Sequence, residues 1–78
     1  MERLLASRRT PNRQLQGLRI NQGLSPNELA CRAGISGKAV RMAEAGFPPT
    51  PRVQFAIAGV FDLQPLDLWP LERQRVAA

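Results

Sequence analysis

The segment AGISGKAVR, residues 33–41, combines two glycines with a lysine and an arginine, and this combination can bind phosphate. Gly34 and Gly37 are three residues apart, and Lys38 follows the second glycine directly. Glycine followed by Gly-Lys at the start of a helix is typical of loops that hold the phosphates of a nucleotide. A glycine between two helical segments is also typical of a helix pair that lies against DNA. The elements around this segment decide between the two.

The nucleotide interpretation requires a glycine five residues before the Gly-Lys pair, and serine or threonine directly after the lysine. Position 32 is arginine and position 39 is alanine. The residues before Gly34 also read as a capped helix and not as a strand, and the sequence has no carboxylate-rich segment that could hold magnesium. We therefore reject a nucleotide site.

The composition limits the chemistry further. The 78 residues suffice for one small domain, and 44% of them are hydrophobic, as is normal for a globular fold. Histidine is absent and Cys31 is the single cysteine, which excludes a disulfide and a clustered thiolate metal site. The apolar stretch near the start is too short for a signal peptide. We expect no enzyme, no cofactor, no metal and no membrane span, and a protein of the reducing cytoplasm.

The charge of the chain is strongly positive. Ten arginines and Lys38 outnumber six acidic residues, which gives a net charge of +5 and a pI near 11.4. A guanidinium group matches phosphate and guanine edges better than an ammonium group does. This balance predicts a polyanionic partner, either nucleic acid or an acidic lipid surface, although any single arginine could simply be solvated.

Cap residues and prolines predict five helices, which start near residues 11, 26, 37, 51 and 65. Glu28, three residues after Ser25, completes a capping box. Glycines 23, 34 and 46 are expected to end the first three helices, and the segment FPPTP to form the one long connection. Pro70 is expected to end the last helix. The predicted caps are Thr10-Pro11, Ser25-Pro26, Thr50-Pro51, the weaker Gln64-Pro65, and Ser36 without a proline.

Apolar residues recur at helical spacing in each segment, and no stretch alternates as a strand would. The sequence therefore predicts an all-α domain, a compact bundle of five short helices over residues 11–71, with a helix-turn-helix in the second and third. Residues 1–10 are expected to form a basic arm or a frayed helix, and residues 72–78 a tail. Cys31 is expected to fill a small buried or half-buried position.

The helix-turn-helix prediction depends on the spacing of Ala30, Gly34 and Val40. Ala30 is small enough for a close helix crossing, and Gly34 can adopt the left-handed conformation that ends a helix. Ile35 and Val40 can fill the wedge between the helices. An ordinary helical hairpin also uses a glycine turn, and the capping box and the basic third helix favour DNA binding over it.

The segment LRINQGLSPNELACRAGISGKAVRMAEAG, with the proline-rich loop and RVQFAIAGVFDLQPLDLW, resembles the lambda-repressor-like helix-turn-helix domain of phage Cro and C1 repressors, over about residues 15–69. The resemblance implies that the third helix is the recognition helix, and that Arg19 pairs with Glu44. The chain departs from the family at Ala45 and Pro26, where the family often has a phosphate-contacting asparagine and glutamine.

The resemblance also implies a DNA-binding face. Ser25 and Asn27, at the start of the second helix, are expected to face a phosphate, and Arg52 to contact another. Four further arginines are expected to add phosphate or minor-groove contacts, or to be merely solvated: Arg3, Arg8, Arg9 and Arg13.

The third helix is expected to lie in the major groove. Lys38 and Arg41 could read guanine or only touch phosphate. Met42 could contact a thymine methyl or pack partly into the core. Gly37 could bring the backbone close to DNA or be a tolerated N-terminal glycine. The predicted outer face consists of Ser36, Gly37, Lys38, Arg41, Met42 and Ala45.

The predicted function is a sequence-specific double-stranded DNA-binding transcriptional regulator, a repressor from a phage or mobile element, in the bacterial cytoplasm on nucleoid DNA. An antitoxin of the same fold and a protein-interaction module that has lost DNA binding stay open. We expect a homodimer on a pseudo-palindromic operator, because one recognition helix reads few base pairs, and no small-molecule effector. Six apolar residues could form the dimer contact or close the core: Phe61, Leu63, Leu66, Leu68, Trp69 and Leu71.

Overall fold

The computed structural model describes residues 10–70, and over these residues the chain forms five helices and no strand. In chain order they are α1 (Arg13–Asn21), α2 (Pro26–Ala33), α3 (Gly37–Glu44), α4 (Pro51–Val60) and α5 (Pro65–Leu68). The predicted all-α fold is confirmed. α2 packs against α3 and α4, α1 packs against α3, and α5 packs against α4. The predicted tail, and all but the last residue of the predicted arm, lie outside the described residues.

Local capping explains why four of the five helices begin where the sequence predicts. The hydroxyl oxygens of Ser25, Ser36 and Thr50 each accept a hydrogen bond from the backbone N–H three residues further on. At α5 the roles are reversed, because the carboxylate of Asp67 accepts from the backbone N–H of Gln64 at 2.8 Å. Each contact satisfies backbone donors that the first turn of a helix leaves unpaired.

The predicted start of α1 is wrong. The helix begins at Arg13 and its N-cap is Asn12, not Thr10. The Oδ1 of Asn12 accepts from the backbone N–H of Leu15 at 3.0 Å, and its Nδ2 donates to the carbonyl of Leu68 at 2.9 Å. An amide side chain can cap one helix and donate to another element at the same time. The prediction of Thr10 considered only whether a hydroxyl residue before a proline could cap the helix.

The three glycines predicted to end helices all have positive φ values, 71° at Gly23, 74° at Gly34 and 105° at Gly46. α4 ends differently, because Asp62 adopts a φ of 60° there. Aspartate is among the few residues that tolerate the left-handed region, and no glycine marks this helix end in the sequence.

The core lies where the four longer helices and the last turn meet. Its buried hydrophobic residues are Leu15, Leu24, Leu29, Ala30, Val40, Ala43, Ile57, Ala58, Leu68 and Trp69. Cys31 is exposed, which corrects the predicted filler role. The buried face of α2 is supplied by its neighbours Leu29 and Ala30, and the next position along the helix turns towards solvent.

The apolar residues near the C-terminal end mostly close the core. Leu68 and Trp69 are buried, and Phe61 and Leu63 pack against the buried cluster. Leu66 is 57% exposed, while Leu71 lies outside the described residues. Of these apolar residues, Leu66 is therefore the one that is exposed within residues 10–70. In the same range, no helix is long and apolar enough to cross a membrane.

Candidate nucleic-acid interface

The turn of residues 34–36 fixes α3 against α2. The backbone N–H of Ile35 donates to the carbonyl of Ala30 at 3.0 Å, across the left-handed Gly34. Ile35 packs against the core, while Ala30 and Val40 are buried beside it. A residue with a Cβ would be strained at the φ of Gly34, so glycine permits the tight reversal. The turn thereby presents one face of α3 to solvent and buries the other.

The C-terminal end of α3 is held by α1. Two donors of Arg19 bind the carboxylate of Glu44, Nε to Oε2 at 2.5 Å and Nη2 to Oε1 at 3.1 Å. The carbonyl of Glu44 accepts from the backbone N–H of Asn12 at 2.9 Å and from Nε2 of Gln16 at 3.2 Å. Arg19 also donates from Nη1 to the carbonyl of Leu24 at 2.8 Å. The backbone carbonyl and the side chain of Glu44 thus both hold the end of α3 against α1 and its N-cap.

This arrangement determines the charge of the exposed face of α3. Glu44 is the one acidic residue of the helix, and its carboxylate is turned inward and neutralised by Arg19. Lys38 and Arg41 are exposed. The solvent-facing side of α3 therefore carries two cations without a compensating carboxylate from the same helix.

The structure brings most of the predicted outer face together. Ser36, Lys38 and Met42 line a shallow groove between α3 and the proline-rich loop, whose Phe47 and Thr50 form the other wall. Ala45 is exposed at the end of the helix, and Met42 is 39% exposed. Arg52, in the first turn of α4 beside this loop, is exposed as well.

On its other side, the face of α3 meets the start of α2. The Nη1 of Arg41 donates to the Oδ1 of Asn27 at 3.2 Å. Gly37 is half-buried beneath this contact, and a Cβ placed on it would overlap the Oδ1 of Asn27. The sequence offered two interpretations of Gly37, close approach to DNA or mere tolerance, and neither included room for a neighbouring side chain.

The start of α2 is occupied by its own capping box. The hydroxyl of Ser25 accepts from the backbone N–H of Glu28 at 3.1 Å, and Oε1 of Glu28 accepts from the backbone N–H of Ser25 at 2.7 Å. The hydrogen bond from the Ser25 backbone is the main reason that the pKa of Glu28 is lowered. Pro26 has no N–H, and the backbone N–H of Glu28 is bound by Ser25. The backbone N–H of Asn27 is therefore the donor of this first turn that lies outside the capping contacts. An anion approaching here also meets the Glu28 carboxylate.

The described part of the predicted basic arm is small. Arg13 is exposed in the first turn of α1, while Arg3, Arg8 and Arg9 lie outside the described residues. Within residues 10–70, no cluster of His, Cys, Asp or Glu side chains could hold a metal ion.

Two residues that position this face were missed in the sequence. The backbone N–H of Asn12 and the side-chain Nε2 of Gln16 both donate to the carbonyl of Glu44, and Asn12 is only 2% exposed. Asn12 is the N-cap of α1, and Gln16 lies one turn further along the helix, near Leu15 and Arg19. The sequence indicates only that polar residues occur next to the inward-facing Leu15. It does not indicate which group they would contact.

Comparison of the chain with models of protein families, with curated proteins and with solved structures finds no match. The function is therefore inferred from the geometry and charge of the exposed face of α3.

Proposed function

We propose that this protein binds double-stranded DNA sequence-specifically and reads the major groove with α3. The observation that carries the proposal is the inward-turned carboxylate of Glu44, which leaves Lys38 and Arg41 as the charged groups of the exposed helix face. A convex, cationic helix face supported by a crossing helix is suited to the major groove, which admits one α-helix.

The remaining contacts would position the protein on the phosphates. The backbone N–H of Asn27 lies at the start of α2, where the helix dipole favours an anion, although the Glu28 carboxylate weakens that attraction. Arg52 is exposed beyond the proline-rich loop. Phosphate contacts on either side of α3 would set its register, while Lys38 and Arg41 reach base edges.

The biological role proposed with this binding is repression of transcription by occupying an operator in bacterial or phage DNA. Its support is the resemblance to Cro and C1 repressors described above, which includes the Ser25 capping box and the Gly34 turn. The pair of Arg19 and Glu44, which that resemblance implies, is present in the structure. An antitoxin of the same fold would bind DNA with this face too, and would differ by also forming a stable complex with a toxin.

Duplex binding at several salt concentrations tests the proposal. A protein that contacts 6–10 phosphates loses roughly 10³- to 10⁵-fold in affinity between about 50 and 200 mM salt. We expect such a steep decrease, measured by fluorescence anisotropy, on a duplex selected by the protein from a random library. Affinity that is absent for every duplex, or that is independent of salt, would contradict the proposed function.

A further inference from the structure

We propose that Asn27 positions Arg41 for base recognition, and that residue 37 is glycine because the Asn27 side chain occupies the space of a Cβ. This role rests on the proposed function, since it concerns how Arg41 meets DNA. Asn27 is thus a positioning residue that acts through Arg41, and not primarily a phosphate contact.

Three residues from two helices form the arrangement. Asn27 is the second residue of α2, Gly37 is the first residue of α3, and Arg41 lies one turn further along α3. The Oδ1 of Asn27 accepts from Nη1 of Arg41 at 3.2 Å. A Cβ on residue 37 would overlap that oxygen and approach Nη1 of Arg41 to 3.2 Å. The absence of a side chain at position 37 and the contact between Asn27 and Arg41 are therefore geometrically linked.

The contact would restrict what the guanidinium can reach. An arginine side chain has about 2 kcal/mol of rotamer entropy, and a free one could extend to whichever phosphate lies nearest. Phosphate contacts carry no sequence information. With one N–H donor bound to Asn27, the guanidinium is held over the first turn of α3 and keeps its other donors for an acceptor in the groove. The expected benefit is discrimination between duplexes rather than overall affinity.

Gly37→Ala separates this role from an ordinary structural one. Alanine is favoured over glycine in helices, so the variant should be at least as stable as wild type. The atom that must move is the end of the Asn27 side chain, which can rotate away without disturbing the fold. We therefore expect an unchanged or raised melting temperature together with reduced discrimination. Gly17→Ala and Gly59→Ala are matched controls, because a Cβ at either position meets nothing within 4 Å.

The experiment measures the ratio of Kd for a shuffled duplex to Kd for a duplex selected by wild type. We expect Asn27→Ala and Gly37→Ala each to lower this ratio about ten-fold, the loss of one modest base contact, while the Kd for the shuffled duplex stays the same. The double variant should resemble either single variant. Asn27→Asp keeps the acceptor, so it should retain the ratio while weakening binding to both duplexes.

Two results would overturn the inference. In one, Asn27→Ala weakens binding to both duplexes equally, which would make Asn27 a phosphate contact. In the other, Gly37→Ala retains the wild-type ratio while the NMR signal of the Arg41 guanidinium changes as it does in Asn27→Ala. A wild-type ratio near one would instead mean that sequence-specific binding, and with it the proposed function, fails, even where the salt titration shows steep electrostatic binding.

Discussion

Arg19 holds the carboxylate of Glu44 in a two-point contact, with donor–acceptor distances of 2.5 and 3.1 Å, and thereby joins the last turn of α1 to the last residue of α3. The side chains are 15% and 9% exposed. The pair has a structural effect, which is to fix the end of α3, and an electrostatic one, which is to remove a negative charge from its exposed face.

Breaking this pair should destabilise the protein strongly. In Glu44→Leu the charge of Arg19 remains in a largely buried site without its partner, which typically costs about 3–5 kcal/mol. We expect the double variant Arg19→Met with Glu44→Leu to be more stable than Glu44→Leu, because no unpaired charge is left. Urea unfolding of the single and double variants measures both. Equal stability of Glu44→Leu and wild type would mean that solvent screens the pair in solution.

Asn12→Ala should reveal how far one buried amide organises the fold. The substitution leaves the backbone N–H of Leu15 and the carbonyl of Leu68 without their side-chain partner. Each unsatisfied buried group costs about 1–3 kcal/mol, so we expect a loss of at least 2 kcal/mol in the free energy of unfolding. Asn21→Ala, at the exposed last residue of α1, is the matched control and should change stability by less than about 0.5 kcal/mol. Similar effects of the two substitutions would contradict this role.

The capping box of α2 should make stability depend on pH in the acid range. The Ser25 backbone N–H holds the pKa of Glu28 below that of an unfolded glutamate. The folded state therefore binds its proton less readily, and the stabilisation is present above the unfolded pKa and is lost as pH falls through the lowered folded pKa. We expect Glu28→Gln to be less stable than wild type at neutral pH and the difference to shrink on acidification. A difference that is constant across the acid range would contradict the lowered pKa.

Lys38→Ala and Arg41→Ala test the proposal that the cations of the α3 face read bases. A side chain that contacts a base edge should contribute about 1–3 kcal/mol of binding to the selected duplex, and its removal should relax specificity at that base. Removal of a phosphate contact should weaken binding to selected and shuffled duplexes alike. Arg32→Ala, which removes an exposed arginine at the other end of α2, controls for the loss of net charge.

The number of subunits on DNA tests the predicted dimer. One recognition helix reads only a few base pairs, so we expect two subunits per selected duplex and a footprint with half-sites about one helical turn apart. Leu66 is the exposed apolar residue at the α5 end of the described fold. Leu66→Ala should leave stability nearly unchanged and weaken the two-subunit complex if this end is the interface. One subunit per duplex at saturating protein would contradict the dimer.

Trp69 is less suitable than Leu66 for a substitution that tests dimerisation. Its side chain is 4% exposed, so Trp69→Ala would remove core packing and lower the stability of the subunit itself.

The positions of most helices follow from the sequence because the interactions that set them are local. A hydroxyl at Ser25, Ser36 or Thr50 reaches a backbone N–H only three residues away, and the left-handed turn at Gly34 depends on that residue having no Cβ. The exposed cations of α3 follow in the same way, from the helical period that separates Lys38 and Arg41 from Val40 and Ala43. The pairing of Arg19 with Glu44 was different, since only the family resemblance indicated it.

Only the tertiary structure decided the remaining features, because each depends on a partner that is distant in sequence. Asn12 replaces Thr10 as a cap because its amide also reaches the carbonyl of Leu68, 56 residues away. Cys31 is exposed because α3 and α4 pack on the side of α2 that carries Leu29 and Ala30, and not on the side that carries Cys31. The space at Gly37 is limited by Asn27, because the crossing of α2 and α3 places the Asn27 side chain where a Cβ of residue 37 would lie. Local periodicity predicts which face a residue lies on, and the packing of helices determines what that face meets.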